Sequence, residues 1–258
     1  MRLTALVSLA ALLTAGSAGA DIFGCSHSAP RRLTTPVAGV TKIFVTARAG
    51  SLRVSGRSGI ADVVASGTAC ASDLDYLKEI QLEARRKGSE LHIEALIPER
   101  TMIFGWWEAR LDFEVVLPAG VPVSVTDGSG SAIIEGTGAL EVTDGSGSLE
   151  IRNIGGALSV LDGSGEIDIR DVAGDVTLSD GSGQISIDKV SGSVRITEDG
   201  SGSIDIRNVL RNVTIDDDGS GSIDVADVRG DFTVDTDGSG GIDHARVGGK
   251  VKVPAGKS

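Results

Sequence analysis

The chain is short of the residues that most catalytic and cofactor chemistry uses. Of its 258 residues only three are histidines, and His27, His92 and His244 stand in unrelated settings. It has two cysteines, Cys25 and Cys70. Two ligands do not make a zinc site, and one pair allows at most a single disulfide. Nucleophile-elbow, P-loop, HExxH and CxxC patterns are missing, so no catalytic and no cofactor-binding residue is assigned. Aromatic residues make up 3% of the chain. From residue 127 onward the only one is Phe232, which leaves no platform there for stacking sugars. Bases are outnumbered, with 24 Lys and Arg against 36 Asp and Glu. The imbalance lies from residue 127 onward, where 24 acidic residues face 11 basic ones. That charge argues against nucleic acid or an anionic membrane surface as partner. After the N-terminal stretch no apolar run is long enough to be a transmembrane segment.

What the chain has in abundance is a repeat. Asp-Gly-Ser-Gly occurs seven times, starting at Asp127, Asp144, Asp162, Asp180, Asp199, Asp218 and Asp237, with gaps of 17, 18, 18, 19, 19 and 19 residues. A nearly fixed period dictates architecture. In the third repeat Ile167 and Ile169 alternate with Asp168 and Arg170, the period-two signature of a strand with one buried face. Val172 points inward near a corner, Gly174 breaks the run, and Val176 and Leu178 start a second alternating strand. The pairs Ile185/Ile187 with Val194/Ile196, Ile204/Ile206 with Val213/Ile215, and Ile223/Val225 with Phe232/Val234 keep the frame. A unit of two short strands cannot bury its apolar face alone, but it can when stacked on copies of itself at about 4.8 Å. The expectation is an all-β fold: a single-stranded parallel β-solenoid of about seven coils over residues 121–258, with a β-rich capping region over 21–120.

Two readings of the Asp-Gly-Ser-Gly ladder stand open. In one, Asp accepts hydrogen bonds from the next backbone amides and Gly supplies positive φ, making a repeated turn. In the other, the seven stacked aspartates hold calcium. Carboxylates about 5 Å apart repel by roughly 1 kcal/mol per pair even in water, and a hard cation would relieve that. The EF-hand-like stretches from Asp216 and Asp235 are decoys, because the twelfth positions are Asp227 and Arg246 and no helices flank them. A second row, Glu150, Asp168, Ser186, Asp205, Asp224 and Asp243, reads as a solvated outer face that Arg152, Arg170 and Arg207 can pair with.

Residues 1–20 read as a cleaved secretory signal peptide: Arg2, an apolar core around Leu6–Leu13, and Ala18-Gly-Ala20 before the cut. Ile22-Phe-Gly-Cys25 is a poor lipobox. In an oxidising compartment Cys25 and Cys70 are expected to form a disulfide closing a loop of about 46 residues. In the capping region strands are expected near 42–47, 52–54, 62–69 and 109–117, with a hairpin around Lys87-Gly-Ser and a helical turn capped by Ser72 or Asp73. Phe104, Trp106 and Trp107 form an apolar loop, expected either to pack over the solenoid end or to contact a partner. His244 stands where Ile or Val belongs, and Lys250-Val-Lys252-Val-Pro254 reads as a blocked edge.

The unit Asp-Gly-Ser-Gly-Ser-Ile-Asp-Ile-Arg-Asn-Val, as at Asp199–Val209, resembles the bacterial β-strand-repeat family called putative adhesin, a domain of unknown function similar in style to autotransporter adhesin heads. Ala69-Cys-Ala-Ser-Asp73 and Leu117-Pro-Ala-Gly120 resemble its N-terminal part. The resemblance implies an exported single-chain β-solenoid without catalytic residues. The functional expectation is a non-enzymatic binding or structural module of the periplasm or cell surface, with a protein or glycan of the cell envelope as partner. The rivals are a periplasmic envelope-stress or structural protein without adhesive role, and a polysaccharide-active β-helix enzyme.

Overall fold

The computed structural model describes residues 25–98 and 108–255. Strands come first wherever β-branched residues alternate with polar ones. The N-terminal part contains β1 (His27–Pro36), β2 (Lys42–Thr46), β3 (Leu52–Arg57), β4 (Asp62–Ala71), α1 (Leu74–Glu79), β5 (Gln81–Lys87), β6 (Glu90–Leu96) and β7 (Ala109–Pro118). The repeats follow as β8 (Val123–Asp127), β9 (Gly130–Glu135), β10 (Leu140–Asp144), β11 (Gly147–Ile154), β12 (Leu158–Asp162), β13 (Gly165–Val172), β14 (Val176–Asp180), β15 (Gly183–Val190), β16 (Val194–Asp199) and β17 (Gly202–Val209). The last are β18 (Val213–Val228), β19 (Phe232–Ser239), β20 (Ile242–Val247) and β21 (Val251–Lys252).

The fold is a parallel β-solenoid of about seven coils. Each coil gives one strand to each of two sheets, and each strand pairs in parallel with its equivalent one coil away. Register is kept side chain on side chain: Ile151 on Ile169 on Ile187 in one sheet, Val142 on Val160 on Leu178 in the other. The inner faces meet to make the core. Ile167, Ile169, Ile185, Ile187, Val194, Ile196, Ile204, Ile206, Val213, Ile215, Ile223, Val225, Phe232 and Val234 are all buried.

The three repeat lengths are absorbed without disturbing these ladders. In every repeat the inner-to-corner passage contains a residue with positive φ: Gly136 at 73°, then Asn153, Asp171, Lys189, Asn208, Asp227 and Arg246 at 53–59°. Asn153 is skipped by the pairing, which runs from Arg152↔Arg170 directly to Ile154↔Val172. The step to 19 residues is a β-bulge after Leu178, opposite Thr197, whose hydroxyl donates to the Leu178 carbonyl at 3.2 Å. An added residue taken up as a bulge leaves the following side chains on their original face.

The capping region is itself partly solenoid, and its stacking order departs from chain order. β2 and β3 pair in parallel with β8 and β9 on one side, and with β6 and β7 on the other. The second coil of the stack is therefore made first. The chain then travels out through β4, α1 and β5 before returning as the end coil. Antiparallel strands close that end: β4 lies on β7, β1 on β4, and β5 on β6. A strand of reversed direction ends the parallel ladder, as a solenoid cap must.

α1 is short, so its ends matter. Asp73 caps it by accepting from the amides of Asp75 at 2.9 Å and Tyr76 at 3.0 Å. At the other end Arg31, from β1, donates to the carbonyls of Leu77 and Ile80, both at 2.6 Å. A cation there also opposes the helix dipole. β1 was not anticipated from its sequence. It carries Pro30 and Pro36, is only half-buried on its inward positions, and forms the sheet's last strand, a place that tolerates proline.

Cys25 and Cys70 are disulfide-bonded, with Cα atoms 5.8 Å apart. The bridge ties the start of β1 to β4 where only one ladder holds that strand. Replacing Cys70 by Ser is expected to lower stability by about 2–4 kcal/mol. Chemical unfolding of the oxidised wild type and the variant measures it, and an unchanged midpoint would contradict the role given to the bridge.

Candidate functional site

The second strand of each repeat fixes where the aspartates point. In β10 the inward residues are Leu140, Val142 and then Asp144, two apart each time. The same parity makes Asp127, Asp162 and Asp180 inward-facing in β8, β12 and β14, and the bulge after Leu178 keeps Asp199 and Asp218 there. Asp127, Asp144, Asp162, Asp180, Asp199 and Asp218 are each no more than 4% exposed. They stand in register from coil to coil, continuing to Asp237. The turn reading is thus only half of what these residues do. Gly128 donates its amide to Asp127 Oδ1 at 2.8 Å, and Ser182 to Asp180 Oδ1 at 3.2 Å. Both oxygens of Asp144, Asp162, Asp199 and Asp218 are buried without a hydrogen-bonding partner at bonding geometry.

The corner beside the column is built by glycine. The second Gly of each motif has φ between 128° and 149°. A Cβ on Gly165 or Gly183 would lie 1.6 Å from the carbonyl oxygen of the equivalent Gly one coil back. A Cβ on the first Gly, at Gly163 or Gly181, would lie 2.4 Å from the matching oxygen. The amide of Gly163 donates to the Asp144 carbonyl at 3.1 Å, and that of Gly181 to the Asp162 carbonyl at 3.2 Å. The glycines let backbone stack directly on backbone, so the aspartate side chains have nowhere to go but inward.

Burial raises the carboxyl pKa of the six buried members, from Asp127 to Asp218. For Asp162 the value is pushed up to about 6, first by desolvation and then by the charges of Asp144 and Asp180. Asp127 is likewise raised to about 6 by burial and by Asp144, with the Gly128 amide pulling the other way. Asp218 reaches about 7, through burial and then Asp199 and Asp237. Asp144, Asp180 and Asp199 are raised, chiefly by burial, with neighbouring amides pulling them part of the way back. Among the described residues no three acidic, imidazole or thiol groups converge as a metal site requires. The column offers one carboxyl per coil in a line.

The outer faces have a different chemistry. Glu150, Asp168 and Asp205 form ion pairs with Arg152, Arg170 and Arg207 at 2.7–2.8 Å, as the alternation suggested. At the corner Asp227 meets Arg246, which holds its carboxyl below the usual range, and Lys189 lies 3.8 Å from Asp171. Exposed pairs of this kind contribute little to stability, because solvent screens them. Near the capped end Phe44 stacks on His92 with ring centroids 4.6 Å apart, and Lys42 lies over the Phe44 ring. His244 is exposed on β20, next to Val225 in the ladder and 6.1 Å from Phe232 between ring centres. Phe104, Trp106 and Trp107 lie outside the described residues, as does the N-terminal segment read as a signal peptide. No helix among the described residues is long and apolar enough to cross a membrane.

No family model matches the sequence, and no curated protein does. The resemblance to the repeat family therefore rests on the repeats themselves. Some solved structures resemble the chain. One described as a putative lipid binding protein from Parabacteroides distasonis ATCC 8503 superposes with a TM-score of 0.50 and 18% identity, over 90% of this chain and 98% of that one. Another, described as a putative adhesin from Bacteroides fragilis NCTC 9343, has a TM-score of 0.40 and 15% identity, over 90% and 99% of the two chains. A putative cell adhesion protein from Clostridium sporogenes ATCC 15579 has a TM-score of 0.33 and 11% identity, over 88% and 100%. At 18% identity the likeness to the first of these is one of fold alone.

Proposed function

We propose that the protein is an exported, non-enzymatic binding module that presents the outer faces of a rigid solenoid to a protein or glycan at the cell envelope. The observation that carries this reading is the coil-to-coil register of those faces. Equivalent outward-facing side chains, half-buried to exposed, are aligned coil after coil, from Glu150 through Asp168, Ser186, Asp205 and Asp224 to Asp243. A row of this kind suits a repetitive or extended partner, because each coil adds the same contact at a spacing of about 4.8 Å. Exposed ion pairs along it are cheap to break and re-form with a partner. The Cys25–Cys70 bridge supports export, since such bonds persist in oxidising compartments.

The test is protease accessibility on intact cells, with an antibody to the repeats and a periplasmic control protein. Digestion with the control spared supports binding at the cell exterior. Protection until the outer membrane is permeabilised would replace adhesion by a structural role in the periplasm. A depolymerisation assay on envelope polysaccharides is expected to show no activity.

A further inference from the structure

Six aspartates stacked inside a protein raise a question of charge. Successive members of the column are paired strand to strand, which sets them about 4.8 Å apart. Eight oxygens on Asp144, Asp162, Asp199 and Asp218 lie buried with no donor at bonding geometry, as do Asp127 Oδ2 and Asp180 Oδ2. Ionised carboxylates only accept hydrogen bonds, so two of them cannot satisfy each other. A carboxylic acid beside a carboxylate can, because one proton then serves an oxygen on each side.

Among the described residues no counter-charge reaches the column from the elements packed around it. Across the core it faces Leu149, Ile167, Ile185, Ile204 and Ile223 of the other sheet, all buried and apolar. Along its own sheet the inward neighbours are Val125, Val142, Val160, Leu178, Ile196 and Ile215. Toward the capped end Ala47 follows, its amide donating to the Thr126 carbonyl. The cations of the same strands sit on the outer face and are engaged there: Lys42 with Glu141, Arg195 with Asp216, and Lys252 with Asp235. Among the described residues, the charges that act on the aspartates are other members of the column.

We infer that the aspartate column is a proton-bound spine: near neutral pH successive carboxyls share protons along the solenoid axis, and the stack tightens in acid and loosens in base. The sign follows from linkage. Each folded-state value is raised above the unfolded one, so the folded chain binds protons that the unfolded chain releases. Stability therefore grows as pH falls through about 7 at Asp218 and about 6 at Asp127 and Asp162. The gain is complete near the unfolded value of 3.8. Most proteins lose stability over this window as their paired carboxylates protonate.

The experiment is thermal unfolding of the full chain in chelator-treated buffer, together with an Asp162→Asn/Asp199→Asn variant. The wild type is expected to melt at least about 5 °C higher near pH 5 than near pH 8. The variant keeps the shape of the neutral acid and can donate from its amides. It is expected to melt above wild type near pH 8 and to show a flatter pH dependence. A wild type that melts lower in acid, with a variant destabilised at both pH values, overturns the inference. So does a large rise in melting temperature on adding calcium near pH 8 that the variant lacks, which would assign the column to a cation. Infrared difference spectra provide a second readout: protonated carboxyl bands near neutral pH that the variant loses are expected, and their absence counts against the spine.

Discussion

Replacing Gly183 by alanine is expected to prevent its coil from forming. The residue has φ of 144°, a conformation essentially closed to L side chains, and its Cβ would lie 1.6 Å from the Gly165 carbonyl oxygen. The obstacle is backbone in the middle of a ladder, so no side chain can swing away. Coil n cannot retreat from coil n−1 without breaking the Gly165 amide to Ser182 carbonyl bond and its neighbours. We expect a loss of about 4 kcal/mol or more, the range reserved for named structural failures. Urea unfolding followed by circular dichroism measures it. Gly88→Ala separates conformation from collision: its φ is 62°, but nothing stands within 4 Å of the added Cβ. That variant should lose only about 1–2 kcal/mol, the cost of a left-handed residue. Equal losses in the two variants would contradict the stacking argument.

Excising residues 163–180 is expected to leave a folded protein one coil shorter. The cut joins Asp162 to Gly181, which restores an Asp-Gly-Ser-Gly corner. β15 then falls on β11 with Ile187 over Ile151, the partners that Ile169 joins in the intact chain. β16 falls on β12 with Asp199 over Asp162, since Asp180 pairs with both. Solenoid stability is close to a sum over repeats and nearest-neighbour contacts, so the shortened chain should unfold cooperatively with a reduced denaturant slope. Removing residues 163–171 instead leaves half a coil. It would bring a strand of one sheet to the position of the other, turning core residues toward solvent, and should yield insoluble or unfolded chain. If both deletions fold equally well, the ladders are not what specifies the structure.

Much of this architecture was legible in the sequence because period two carries its own meaning. The alternation that placed Ile167, Ile169, Val176 and Leu178 inside is the alternation the coils bury. It extends two residues further than it was followed. Leu178 to Asp180 is one more step along the inner face, and Asp127, Asp144, Asp162 and Asp180 are buried for that reason. The signal was present, but acidic side chains beside Gly and Ser are ordinarily turn residues. The bulge hid it again in the 19-residue repeats, where Ile196 and Asp199 are three apart. β1 was illegible for a different reason: its prolines and its weak inner face look like loop until β4 is there to pair with it.

The sequence by itself determined the repeat, its period, the side chains that face the core and the glycine corner, because each of these is a local rule of strand geometry repeated many times. Only the tertiary structure decided the order of the first coils and the state of the aspartates. Which strand β2 meets depends on a contact across about 80 residues, as between Ile43 and Val123, and no local pattern encodes it. Whether a carboxyl is solvated or buried depends on what closes over it. Here that is backbone from the next coil, brought close by residues that have no side chain.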